Sequence, residues 1–500
     1  MSTPPKLLQE ELPGDEPDEV PIAPAWDEAT IAQLFPDLMP GPEDPAKARE
    51  AAAKAEALLG SGPSRVKIED ILDPSLSLYD AFMLEAERQI IVDAEKHLPL
   101  NIASIGCHVA NLYSMPSCGH VEFGDPPQRS NNPRCVMNGR KQTLTSVSGG
   151  KRRDLRMFLM TIGPPGSGKG EVPMLFVDRV EGLLPGSVIP RTFIQTITRP
   201  ALFGSGTRDP RNPNKIVYDF GLAWKYCSGI VACEEMSFIK SAAEASFSVG
   251  FEDSFLTFAE KGFVEVNLRD AKFSYSVGTT GWFGNQSDRI WTGTGESGFT
   301  RRMCSDFNFM TEELDARLKV ADKLRRQVAP SSRVRDHFAR RIRYLFDNFK
   351  VETLDFEHAD AYNDLIESYK MGAATGYTGF RHYENHMMDR IAIGYNIMRY
   401  WEPSMRVLPI KLDDTLKRII ERQVAVRRLL FRGRNLLSNE LVLRLQRRDG
   451  RVRRSDILEE MHTFGGYSVW KVERELEKLV KMGRLRLEGN TWDPSVTVND

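Results

Sequence analysis

Short apolar runs bounded by glycine, proline and acids alternate, through the middle of this chain, with longer stretches of helical spacing. That pattern predicts an α/β core. Residues 156–162 (Arg-Met-Phe-Leu-Met-Thr-Ile) read as a buried parallel strand and 172–184 as the helix behind it. Residues 228–233 form a second apolar strand. Residues 260–275 alternate as a hairpin does, 273–280 read as a further strand, and a last strand lies near 306–309. From 311 to 400 the spacing is helical, and a basic helix over 412–432 follows, with Leu416, Ile420 and Val424 on its apolar side. The C-terminal stretch predicts helices over 438–448, 456–461 and 468–482, then a hairpin over 484–492 that turns at Glu488-Gly-Asn490. Upstream, helices are expected over 46–60 and 76–97.

The sharpest chemistry sits between the first strand and its helix, at Met160-Thr-Ile-Gly-Pro-Pro-Gly-Ser-Gly-Lys-Gly170. Gly163, Gly168 and Lys169 fit the phosphate-loop pattern G-x-x-x-x-G-K-[ST] except at its last position. Glycines are needed because backbone N–H groups must close around phosphate oxygens without side chains intervening, while the lysine supplies positive charge. Gly163, Pro164, Pro165, Gly166, Ser167, Gly168, Lys169 and Gly170 are therefore the candidate nucleotide-binding residues. Gly170 stands where a hydroxyl normally holds Mg²⁺, so nucleotide binding is expected more firmly than hydrolysis. A second landmark, Ser228-Gly-Ile-Val-Ala-Cys-Glu-Glu-Met236, is an apolar strand ending in two acids, the Walker B pattern. Glu234 is assigned to Mg²⁺ and Glu235 to orienting the attacking water.

Charge divides the chain more than its net value of −2 suggests. Residues 1–45 hold eleven acids, ten prolines and a single lysine, the composition of a disordered acidic tail. Residues 415–455 hold thirteen Lys/Arg against three acids, a basic region suited to nucleic acid. No stretch approaches the roughly 18 apolar residues of a membrane span, and the N-terminus lacks a signal-peptide pattern. A soluble, intracellular protein without a membrane partner is expected, cytoplasmic and associated with the nucleoid.

Three of six cysteines and two of eight histidines fall within 29 residues, between Cys107 and Cys135. Cys107, Cys118, His120 and Cys135 would supply a Cys₃His set for a structural Zn²⁺. The spacing lacks paired C-x₂-C knuckles, and buried thiols with incidental histidines remain the alternative.

The order of parts over residues 150–310 resembles the AAA+ ATPase module of the helix-2-insert clade, to which the minichromosome-maintenance (MCM) replicative helicases belong. The resemblance rests on the phosphate loop, Thr207-Arg-Asp-Pro210, Gly221-Leu-Ala223, the Walker B strand, Ala259-Glu-Lys-Gly262, Val277-Gly-Thr-Thr280 with Phe283-Gly284, and Phe299-Thr-Arg-Arg302. It departs from the family at Gly170, at Glu234-Glu235 and at the sensor position, where Thr280 replaces an asparagine. It implies an AAA+ P-loop core with a helical lid, assembled as a homo-oligomeric, hexameric ring. By that resemblance Arg301 reaches a neighbouring subunit's γ-phosphate, Thr280 and Arg381 act as sensors, and Lys261, Arg269, Arg208, Arg211 and Lys215 face a central pore.

The last segment reads as a winged helix-turn-helix, with Ser468, Lys471, Arg474 and Lys478 on its recognition helix and Arg484 and Arg486 on its wing. Such domains also dock proteins. The domains expected are an acidic tail (1–45), an N-terminal helical region with the Cys/His cluster (46–150), the nucleotide-binding core (151–315), the lid with its basic helix (316–432) and the winged helix (433–500). The function expected is an ATP-dependent DNA helicase or translocase of MCM-like type in DNA replication, using ATP and Mg²⁺ and meeting DNA and replication proteins. The alternative is an AAA+ nucleotide-gated loader or remodeller of a protein–DNA complex with weak or no hydrolysis.

Overall fold

Five short strands make one parallel sheet, in the order Cys304–Phe307, Phe158–Ile162, Gly281–Gln286, Ile230–Cys233, Arg191–Ile194. They belong to a computed structural model that describes residues 28–38, 46, 49–50, 53–54, 57, 66–114, 119–122, 128–129, 146–147, 155, 157–164, 166–178, 181–195, 201–202, 205–219, 221–226, 229–234, 263–268, 271–276, 281–286, 303–308, 311–328, 330–373, 383–431, 441, 445, 452–463, 469–481, 485–489 and 493–498. Ile230–Cys233 and Cys304–Phe307 are buried at every position, and Phe158–Ile162 at all but Thr161. Continuous burial is what a parallel sheet covered on both faces requires; it suits the apolar Ile230–Cys233, while the buried Ser305 and Asp306 of Cys304–Phe307 need polar partners. The architecture is mixed α/β.

Of the strand expected over 273–280, the described residues 273–276 belong to a hairpin. Residues Phe263–Leu268 and Ala271–Ser276 pair as an antiparallel hairpin, which extends through Gly119–Glu122 to Gln128–Arg129. The sheet strand is instead Gly281–Gln286. Its Gly-Trp-Phe-Gly-Asn-Gln sequence has little β propensity of its own and is held by two parallel neighbours. The insert between the loop and Ile230 forms a separate two-stranded hairpin, Ser205–Asp209 with Asn212–Asp219.

Helices on both sides of the sheet share one core with it. Helix Ala94–Ser114 lies against helix Tyr383–Tyr400 so closely that a Cβ on Gly394 would stand 1.8 Å from Ala103 O, and one on Gly106 would stand 2.2 Å from Gly394 O. Glycine at both positions is what permits the approach. Most of the buried residues from Ile31 to Val426 form one cluster that runs across the expected boundaries at 150 and 315, while Val320 and Leu324 make a small cluster of their own with Ile90 against it. Side-chain caps start the following helices: Thr311 accepts from Leu314 N–H at 3.1 Å ahead of Glu312–Arg325, and Ser331 from Val334 N–H at 3.4 Å ahead of Ser332–Asn348.

Three further expectations are corrected. The continuous helix over 76–97 breaks after Leu78–Arg88, because Ile90 and Asp93 adopt φ of 57° and 54° before the next helix begins. The acidic tail is ordered over 28–38: Ile31, Phe35 and Leu38, spaced for one helix face, are buried in the main core. The basic helix, Asp414–Phe431, turns two of its cations inward, with Arg422 5 % and Arg427 1 % exposed. Arg427 Nη1 donates to Met303 O at 3.2 Å.

The C-terminal stretch has its own core of Leu441, Leu445, Val452, Ile457, Met461, Val472, Leu476, Leu479, Leu485 and Val496. Helices Arg454–Thr463 and Val469–Lys481 accompany an antiparallel sheet in the order Val452–Arg453, Ser495–Val498, Leu485–Glu488. Gly489, at φ 95°, follows the Leu485–Glu488 strand, where the turn was expected. Among the described residues no helix is long and apolar enough to cross a membrane.

Candidate functional site

The glycine loop leaves the carboxyl end of Phe158–Ile162, a strand interior to the sheet. A Cβ on Gly163 would lie 2.3 Å from Asn308 O and 2.8 Å from Ser167 Oγ, so only glycine fits. Gly166 and Gly168 take φ of 81° and 76°, the left-handed region that costs an L side chain about 1–2 kcal/mol. Successive backbone N–H groups in such a loop form an anion-binding concavity. Gly170 then caps the short helix Glu171–Val177, with Met174 N–H donating to its carbonyl at 3.1 Å. Lys169 Nζ donates to Gly163 O at 2.7 Å and Pro164 O at 3.2 Å, which lays its ammonium along the loop's own backbone. Asn308 braces the loop from the next strand: its N–H donates to Ile162 O at 2.8 Å and its Nδ2 to Ser167 O.

The same edge of the sheet carries the second landmark. Glu234 directly follows Ile230–Cys233, is exposed, and donates its N–H to Ile194 O at 2.9 Å. One strand, Gly281–Gln286, separates it from the loop strand, so the two lie about 10 Å apart by two strand spacings. In register, Gly284 pairs with Cys233 and Asn285 with Thr161, which sets Asn285 between Glu234 and the loop. Thr280, expected to assist there, lies outside the described residues. Its neighbour Gly281 opens the strand at the opposite end, roughly 17 Å from Gln286 at the rise of an extended chain. Asn285 is thus a polar residue that the strand register brings to the loop edge. Glu235, Arg301, Arg381 and Pro165 lie outside the described residues.

A small cleft runs beside the loop. Val92, Val172, Leu314 and Leu318 give it an apolar wall, and His97 and Asn308 give it polar groups. His97 Nδ1 lies 2.6 Å from Asp306 Oδ2, and Arg422 donates to Asp306 Oδ1 through Nη2 at 2.9 Å and Nε at 3.0 Å. Arg422 Nη1 also reaches Asp37 at 2.7 Å. Burial pushes the Asp306 carboxyl up, but Arg422 and then His97 outweigh it and hold it down at about 2. Beside Gly168, the Glu171 carboxylate is gripped by Arg325, Nη1 to Oε1 and Nη2 to Oε2, both at 2.6 Å. Sequence spacing gave no sign of Asn308, His97, Asp306 or Arg325, because each reaches the site from a distant part of the chain.

The candidate DNA contacts are spread over three elements. Arg208 and Lys215 lie on the insert hairpin, and Arg211 is exposed at its connection. Lys261 and Arg269 lie outside the described residues, Arg269 between the paired Leu268 and Ala271. Lys471 and Arg474 are on helix Val469–Lys481, where Arg474 is exposed and sits over the Trp470 ring at 5.5 Å. Trp470 is itself 66 % exposed.

Cys107, the first residue of the zinc set, is fully buried in helix Ala94–Ser114, and its Sγ donates to Arg390 O at 2.7 Å across the tight helix contact. His120 is on strand Gly119–Glu122, and Cys118 and Cys135 lie outside the described residues. Among the described residues no group of three or more His, Cys, Asp or Glu side chains could hold a metal ion. Comparison of the chain with protein-family models and with curated protein sequences found no match.

Proposed function

We propose that this chain is an ATP-driven DNA translocase or helicase of the MCM-like AAA+ type, acting in DNA replication. The observation that carries the reading is the loop itself: two left-handed glycines and Lys169 at the end of an interior parallel strand, with Glu234 at the same edge. Ligands of open parallel sheets bind outside the carboxyl ends of the strands, where all of these groups lie. The donor set fits a polyphosphate, since the loop offers backbone N–H groups and an ammonium and places no side chain at its glycines. The C-terminal order of short strand, two helices and two strands supports a winged helix-turn-helix.

In this reading the loop amides and Lys169 hold the β- and γ-phosphates. Mg²⁺ held by Glu234 would neutralise charge on the phosphoryl oxygens. Glu235 orients the attacking water and Thr280 assists. Arg301 of a neighbouring subunit and Arg381 from the lid neutralise developing charge in a hexameric ring. Lys261, Arg269, Arg208, Arg211 and Lys215 track a phosphate backbone, and Lys471 and Arg474 engage duplex DNA.

One observation favours a second reading, a nucleotide-gated AAA+ loader or remodeller with weak or no hydrolysis. Gly170 offers no hydroxyl to the metal, and the adjacent carboxylate of Glu171 is already engaged by Arg325. ATP hydrolysis by the purified protein, with and without single-stranded and duplex DNA, separates the two. DNA-stimulated turnover lost in Lys169→Ala and Glu235→Gln supports the motor. ATP binding without turnover supports the loader, and no binding of ATP sinks both.

A further inference from the structure

The loop has a carboxylate pressed against it. A Cβ built on Gly168 would lie 3.5 Å from the Glu171 carboxyl carbon and 3.6 Å from its Oε1, so the acid sits against the backbone meant to hold phosphate. Left alone, a negative charge at that point repels the ligand the loop is shaped for. Arg325, the last residue of helix Glu312–Arg325, meets it with a bidentate pair, both contacts 2.6 Å long. The same guanidinium donates Nε and Nη2 to Ile90 O, at 3.0 and 2.8 Å. Ile90 is a β-branched residue held at φ 57°, two positions before Val92 of the cleft wall. Arg317, on the same helix, adds a 2.7 Å ion pair to Asp93. One helix therefore neutralises the loop's own acid and fixes the segment beside the cleft.

We propose that Arg325 is a positioning residue for nucleotide: by cancelling the Glu171 charge it makes the glycine loop competent to accept a polyphosphate, and so ties affinity to the docking of helix Glu312–Arg325. The inference rests on the nucleotide reading above. The other charges near this pair are Asp322, 3.5 Å from Arg325 Nη1, and Lys169 on the loop itself. Neither replaces Arg325, since Asp322 carries the wrong sign and Lys169 is turned onto Gly163 O and Pro164 O.

The test is calorimetric titration of the full-length protein with the non-hydrolysable analogue adenosine β,γ-imidotriphosphate, at low and high salt. Arg325→Gln keeps an amide donor for Ile90 O while removing the charge. It is expected to weaken binding about tenfold at low salt, the scale of one unscreened charge a few ångströms from a phosphate, and less at high salt. Glu171→Gln alone leaves the Arg325 charge uncompensated and should tighten binding at low salt, and the double variant Arg325→Gln/Glu171→Gln, neutral like the wild-type pair, should return to wild-type affinity. Wild-type affinity in Arg325→Gln overturns the proposal. So does a double variant as weak as Arg325→Gln, which would mean that Arg325 touches the nucleotide directly or only maintains the fold. A wild type that does not bind the analogue overturns the nucleotide reading itself, a different result from one in which the wild type binds and the variants do not differ.

Discussion

Replacing Asp306 by asparagine tests the charge network behind the loop. The side chains of Asp306 and Arg422 are each 6 % exposed, and Asp306 also accepts from its His97 partner at 2.6 Å. Asparagine keeps the shape and removes the charge, leaving Arg422 with the half-exposed Asp37 as its remaining acid. Removing one partner of a buried ion pair costs about 3–5 kcal/mol, because the other charge stays buried without compensation. The pH dependence follows from the depressed carboxyl, about 2 against the usual 3.8. A group whose pKa is lowered on folding stabilises the protein above its unfolded value, and that contribution is lost as pH falls through the folded one. Between pH 7 and pH 3 the wild type should lose about 1 kcal/mol that Asp306→Asn does not have to lose. Urea unfolding followed by circular dichroism at both pH values reads the two effects. A variant as stable as the wild type at pH 7, or a gap that stays constant down to pH 3, would refute the argument that Asp306 is held ionised by Arg422 and His97.

Gly168→Ala forces a left-handed residue to carry a side chain 3.1 Å from Leu318 Cδ2. It should destabilise the fold by about 1–2 kcal/mol and abolish measurable ATP binding in a titration. Gly394→Ala puts a methyl 1.8 Å from Ala103 O and drives helices Ala94–Ser114 and Tyr383–Tyr400 apart. A loss of about 3 kcal/mol or failure to fold is expected, read by thermal unfolding, and a neutral result would contradict the close approach. Arg474→Ala should weaken duplex DNA binding similarly for all sequences and reduce the salt slope by about 1 in an anisotropy titration, whereas an unchanged slope would remove this residue from the interface.

The sequence by itself determined the local features. The apolar runs at 158–162 and 230–233, the glycine loop between strand and helix, and the acid that ends the second strand follow from composition and spacing within a few residues. The helical character of 311–400 was equally legible, while the starts capped by Thr311 and Ser331 are seen in the structure. Residues 281–286 were legible only as letters: two glycines and an asparagine argue against a strand, and their parallel neighbours overrule that preference. Tertiary structure alone decided that Asn285 stands beside the carboxyl end of the loop strand, since the register of a strand fixes which residue it brings there. It also decided that Cys107 packs between helices and that Arg422 and Arg427 of a basic helix point inward. Arg325 shows the reason most plainly. Its partners Glu171 and Ile90 lie 154 and 235 residues away along the chain, and no local pattern encodes which distant acid a given arginine will meet.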